Sequence, residues 1–342
     1  IILLPLLKVD KKKYCIIIGT AMTLIVGLRS VDMGLVDTKN VYVPIFTKLL
    51  DMSFLNSIKY IFDVEKTNIL FYLLSKLILM AVGNIRILLF FISIPLNYTV
   101  SKIIYKYSKL PSMSFIMFFS LNYFAFSFTL LKHCIALALI ISSFEYLKNN
   151  NLKKFLIMIF IAGLFHNTAW IFFIAYPIRK LKINFRNINV IIIFTIIIYF
   201  FGSNLFQVLI KLLGNNHYSD YINFGTNTLT FYFINLIILI FTMLIDEKNK
   251  SEEQIICLNL HTLGICFLSC MMIISEAFRI GTFFTIFSII SLPNALYSTK
   301  LIKNEYKSIV YIIFYIIFIM YFFKFTIYNN NIYPYIIGNW SC

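Results

Sequence analysis

The 342-residue chain is 60% hydrophobic and only 13% charged, with a mean hydropathy of +0.86 and a formal net charge of +16. A soluble domain carries about 25% charged residues, so the composition excludes an ordinary soluble enzyme. The lysines fall in short clusters between apolar runs, the pattern of loops on one side of a membrane, and nucleic acid is therefore not an expected partner.

Runs long enough to cross about 30 Å of hydrocarbon recur along the chain. The stretch 190–201 does not alternate as a barrel strand would. The expected fold class is all-α: a polytopic integral membrane protein with about 9–11 transmembrane helices and re-entrant segments, in a single domain over 1–342. Residues 1–7 are expected to be the tail of a first span that starts before this sequence, and 8–13 the first inside loop.

The run 14–28 crosses outward. Residues 29–67 form an outer loop in which 46–61 favours short amphipathic helices at the interface. The run 68–82 is short and contains Lys76, and is expected to be re-entrant or interfacial, which leaves Lys102, Lys106 and Lys109 after the span 85–105 on the inside. Residues 112–131 go out and 133–147 return to Lys148, Lys153 and Lys154. The run 155–178 holds about 24 residues, enough for one span or for two half-helices. A hairpin with His166 and Asn167 at its tip places the basic clusters on both sides of it inside. Further runs are 188–210, 229–245, 254–274, 277–297 and 308–327, with a second outer loop at 211–228.

Ionisable groups beside apolar spans are costly and mark functional candidates. On this topology the outer face holds Arg29, Asp37, Tyr42, Lys132, His133, His166, Asn167, Glu276 and Arg279. Cations there suit the phosphates of a lipid diphosphate, and an imidazole or carboxylate suits proton removal from a sugar hydroxyl. Each has a plainer reading. Glu276 and Arg279 pair naturally at i, i+3, Arg29 and Lys132 fit as interfacial anchors, and His166 fits as a core histidine. The six cysteines lack metal-site spacing, and no phosphate-binding glycine loop, nucleophile elbow, zinc motif or acidic pair for a nucleotide sugar is present. No metal and no cofactor are expected.

Short motifs then occur in a familiar order. Gly27-Leu28-Arg29 ends an early span, followed by Asp37-Thr38 and Tyr42. Leu131-Lys132-His133 precedes Ile135-Ala136, and Phe165-His166-Asn167-Thr168-Ala169 follows. Phe278-Arg279 leads into a span ending Leu292-Pro293, and Tyr333-Pro334-Tyr335 lies in the tail. Over nearly its whole length the chain resembles the EpsG-like and Wzy-type bacterial polysaccharide polymerases. It departs from them in having Lys132 where they usually have arginine and His133 where they usually have glutamine.

The resemblance implies a GT-C-like protein of the bacterial inner membrane with its active site facing the periplasm. It implies joining of oligosaccharide repeat units carried on undecaprenyl diphosphate, giving O-antigen or a similar polymer, with membrane lipid and a chain-length regulator as further partners. His166, Asp37 and Arg279 are then the expected catalytic residues. Arg29, Lys132, His133, Tyr42, Glu276 and Asn167 are the expected substrate contacts. A lipid-linked oligosaccharide flippase and an O-antigen ligase remain open as alternatives, as does an acyltransferase that decorates the polymer.

Overall fold

The structure is a computed structural model that describes residues 9–33, 37–65, 67–181, 183, 188–213, 226–245, 250–274, 277–327 and 332–338. Among these residues the fold is all-α, apart from one isolated bridge between Arg29 and Ile337. The chain divides into two compact units, Ile1–Trp170 with Ile309–Cys342, and Ile171–Ser308. Ile85–Tyr107, Ala277–Ser298 and Asn304–Ile327 are each long and apolar enough to cross a membrane. Outward-facing Ile309, Ile313, Ile316 and Met320 are all at least half exposed, as lipid-facing helix sides require.

In the first unit, local capping sets the helix ends. Asp10 caps α1 (Lys11–Gly27) by accepting from the Lys12 N–H at 3.0 Å. The helices α2 (Val43–Asp51) and α3 (Phe54–Tyr60) fall where amphipathic helices are expected. Gly83, at φ +62°, closes α4 (Ile69–Val82), and Asn84 caps α5 (Ile85–Tyr107). The next helices are α6 (Pro111–Ser120), α7 (Phe126–Thr129), α8 (Leu131–Lys148) and α9 (Leu152–Phe165).

The helices α1 and α5 are antiparallel. Lys11 Nζ donates to the Ser108 carbonyl at one end at 2.7 Å, and Ser93 Oγ donates to the Thr23 carbonyl further along at 3.4 Å. The first of these ends also holds the Lys106–Glu145 ion pair, which ties the far end of α8 to it. This is the lysine-rich end of the unit. Everything between α1 and α5 therefore starts and finishes at the opposite end. With 14 residues, α4 spans about 21 Å, short of the hydrocarbon core, and its first cap, Asn68, contacts Asn167 after α9.

The expected outgoing run 112–131 is not one helix. It ends at Ser120, resumes at Phe126, and has Asn122 at φ +64° between, a conformation that asparagine tolerates better than most residues. Ser120 is held on both sides: its hydroxyl donates to the Phe318 carbonyl and its carbonyl accepts from Thr326 Oγ1, each at 2.7 Å.

In the second unit are α10 (Ala175–Ile178), α11 (Ile188–Leu213), α12 (Thr226–Ile245), α13 (Glu252–Ser269), α14 (Ala277–Thr285) and α15 (Ser288–Ser298). The expected run 277–297 is thus two helices joined by a turn at Ile286 and Phe287. Gly264 and Gly281 let α13 and α14 pack closely, since a Cβ on Gly281 would stand 2.4 Å from Leu268 Cδ2. Asn259 Nδ2 donates to the carbonyls of Ile178, Arg179 and Leu181 at 2.7–3.2 Å, anchoring the turn after α10 to α13. The last helix, α16 (Asn304–Tyr321), continues as a π-helical turn over Phe322–Ile327.

Candidate functional site

The site residues of the first unit collect where α1 ends and α8 begins. Three successive residues open α8, and at 3.6 residues per turn their side chains leave the helix about 100° apart. Lys132 turns toward Tyr42 and Tyr72, His133 toward Phe126 and His166, and Cys134 lies on the Arg29 side. No side chain caps the helix at Leu130. The positive end of an 18-residue helix therefore lies among these groups and favours an anion there.

Lys132 is half-buried. Its Nζ donates to Tyr72 Oη at 3.1 Å and stands 5.6 and 5.1 Å from the ring centroids of Tyr42 and Tyr72. Tyr42 is itself buried, stacked on Phe46 with Phe71 edge-on. Lys76, 4% exposed, secures this aromatic wall from behind by donating to the carbonyls of Leu49 and Met52 at 2.6 Å each. A cation there also complements the C-terminal end of α2.

His133 is 1% and His166 9% exposed, and their rings meet edge to face with centroids 5.5 Å apart. The path to His166 depends on a break in the helix. The residue is extended, at φ −151° and ψ 113°, and ends α9, after which Asn167–Ile174 winds as a 3-10 helix. Trp170 packs its ring on Phe160, centroids 5.3 Å apart, so the helix axis does not continue past His166. The exposed Asn167 donates its backbone N–H to Asn68 Oδ1 at 3.0 Å.

Arg29 is 3% exposed. Its guanidinium donates to the Val26 carbonyl at 2.6 Å and the Phe128 carbonyl at 3.1 Å, and lies over the Phe128 ring. Burial lowers it to about 10, which leaves it protonated at neutral pH. Thr38 Oγ1 donates to the same Phe128 carbonyl at 2.6 Å. Asp37, the next residue back, is half-buried and forms no hydrogen bond or ion pair among the described residues. The tail closes over the Arg29 backbone, where the Ser30 N–H donates to the Ile336 carbonyl and the Gly338 N–H to the Leu28 carbonyl. Nearby, Asp32 pairs with Lys39 at 2.6 Å, and that hydrogen bond, followed by one from Ser30, holds its carboxyl below the usual range.

Arg29, Asp37, Tyr42, Lys132, His133, His166 and Asn167 thus all lie in the first unit. Arg279 lies in the second, half-buried on α14, its carbonyl accepting from Thr282 Oγ1 at 2.8 Å. Glu276 lies outside the described residues, as does the loop segment 214–225. Among the described residues no three His, Cys, Asp or Glu come together as metal ligands. Tyr72 and Asn68 had no signal in the sequence, because their partners lie 60 and 99 residues away in the chain; Lys76 stood out there as a charge inside an apolar run, but its partners, 24–27 residues away, did not.

A family model described as the EpsG family matches residues 12–337, nearly the whole chain. The chain belongs to the EpsG family. No curated protein and no solved structure matches it. The EpsG family is associated with glycosyltransferase-like polysaccharide polymerases, which makes this chain a membrane protein of polysaccharide biosynthesis. EpsG membership covers both sides of the isolated bridge, from α1 and Arg29 to Ile337 in the tail.

Proposed function

We propose that this EpsG-family protein is a polysaccharide polymerase that joins oligosaccharide repeat units carried on undecaprenyl diphosphate at the periplasmic face of the bacterial inner membrane. The observation that carries this reading is the placement of Lys132, His133 and His166 at the end of the first unit opposite its lysine-rich end. Lysine-rich ends face the cytoplasm, so the His–Lys cluster belongs on the outer side, where lipid-linked units are joined. A GT-C-like arrangement of about 9–11 spans remains part of the proposal.

In this reading an acceptor hydroxyl on the new unit attacks the anomeric carbon of the growing chain. The new glycosidic bond forms as the bond from that carbon to the diphosphate oxygen breaks, and undecaprenyl diphosphate leaves with the electron pair. Lys132 and the positive end of α8 stabilise the charge on the departing diphosphate. His166, backed by His133, takes the acceptor proton; Asp37 is the other candidate base. Arg29 supplies positive charge from beneath the site, since its guanidinium is already engaged by two carbonyls. Tyr42 and Asn167 are assigned to the sugars, while Arg279 and Glu276 keep the roles that the family resemblance implies for them. A chain-length regulator is the expected protein partner.

The test is deletion of the gene followed by gel analysis of the surface polysaccharide, with complementation by the wild-type and His166→Gln chains. Loss of the ladder with a single-repeat band retained, restored by the wild type but not by His166→Gln, is the expected result. Loss of every repeat band would replace the reading with a flippase or a ligase, and an unchanged ladder would overturn it.

A further inference from the structure

Away from the site, α1 and α5 enclose a groove of about 510 Å³ on their outer side. Lys12 and Lys102 line it at the lysine-rich end, Gly19, Thr20 and Ile94 in the middle, and Phe90 near the other end. Its depth comes from Gly19, where a Cβ would stand 2.3 Å from Ser101 Oγ; any larger residue would push the helices apart. Along α1 the groove runs from Lys12 to Leu24, about 18 Å at 1.5 Å per residue. One leaflet contributes about 15 Å of hydrocarbon. The groove is therefore one lipid chain long, too short for a chain that crosses both leaflets.

Its polar end is selective in charge. Lys12 and Lys102 are exposed, and among the described residues neither forms an ion pair. Lys102 Nζ lies 5.7 Å from the Tyr98 ring, and Lys11 beside it is fixed on the Ser108 carbonyl. The nearby carboxylates are Asp10, turned to the Lys12 backbone N–H, and Glu145, paired with Lys106. The cationic side chains are thus the groups left to meet a headgroup.

We infer that this groove seats one anionic phospholipid, its headgroup on Lys12 and Lys102 and an acyl chain laid along Gly19 toward Phe90. The inference is independent of the polymerase reading, because none of the groove's lining residues belongs to the site. A juxtamembrane lysine contributes about 1 kcal/mol toward an anionic headgroup, so the two together correspond to about a thirtyfold preference.

The experiment incorporates the full chain into vesicles of equal phosphatidylglycerol and phosphatidylcholine, extracts it in mild detergent and counts retained lipids by native mass spectrometry. Wild-type protein should keep one phosphatidylglycerol, and its preference for that lipid should fall with added salt. Lys12→Gln/Lys102→Gln should lose about thirtyfold of it, and Thr20→Trp, which fills the groove from its exposed side, should lose it too. Lys300→Gln/Lys303→Gln, an equal charge change in the second unit, should retain it. Equal retention of the two lipids by the wild type would overturn the inference without recourse to any variant. So would full retention by the Lys12/Lys102 variant, or recovery of a polyprenyl phosphate in place of the phospholipid.

Discussion

His133 and His166 meet edge to face, ring centroids 5.5 Å apart, one at the start of α8 and the other at the break that ends α9. Each sits in a separate sequence motif, and the contact makes the two motifs one site. If the pair acts as a unit, His133→Ala and His166→Gln should each cut polymer formation by about 10²-fold or more at normal protein levels. The double variant should be little worse than either single one. Multiplied losses in the double variant would show that the two rings act separately.

Lys132 is held by Tyr72 Oη and two aromatic faces. Lys132→Ala should reduce polymer formation strongly while the protein still reaches the membrane, and Lys132→Arg should restore a substantial part, because charge and aromatic stacking are both kept. Tyr72→Phe removes only the hydroxyl acceptor and should have a smaller effect, read from polymer yield at matched expression.

The Lys76 ammonium bonds two carbonyls at the end of α2 in a buried setting. Lys76→Met should destabilise the first unit by about 2–4 kcal/mol, the range for hydrogen bonds to a buried charge and the unmet acceptors left behind. A lowered melting temperature in detergent is the readout. An unchanged value would mean that water replaces the ammonium at those carbonyls.

Asp32 is exposed, and its pairing with Lys39 lowers its carboxyl pKa. The sign follows from linkage: a depressed carboxylate adds stability above its ordinary value near 3.8, lost as pH falls through the lower folded value. Because the pair is solvated, the effect should be small and should vanish in high salt. Asp32→Asn should leave the melting temperature near neutral pH unchanged within error, while NMR titration of the wild-type carboxyl should give a midpoint below 3.8.

Much of the fold was already legible in particular residues. The apolar runs and lysine clusters fixed the membrane class through the cost of burying charge in hydrocarbon. The end of α9 at His166 coincides with the tip expected from the basic clusters that flank that run. Tertiary structure decided the rest. It split the run after Pro111 into α6 and α7, because Ser120 is claimed by α16 and its π-helical continuation from the far end of the chain. It buried Arg29 under carbonyls and gave Lys132 to Tyr72, and it closed the tail over Arg29 with backbone pairs between residues some 300 positions apart. Those pairings depend on which helices pack side by side, and a periodicity of 3.6 residues says which face of a helix is apolar but not which neighbour will cover it.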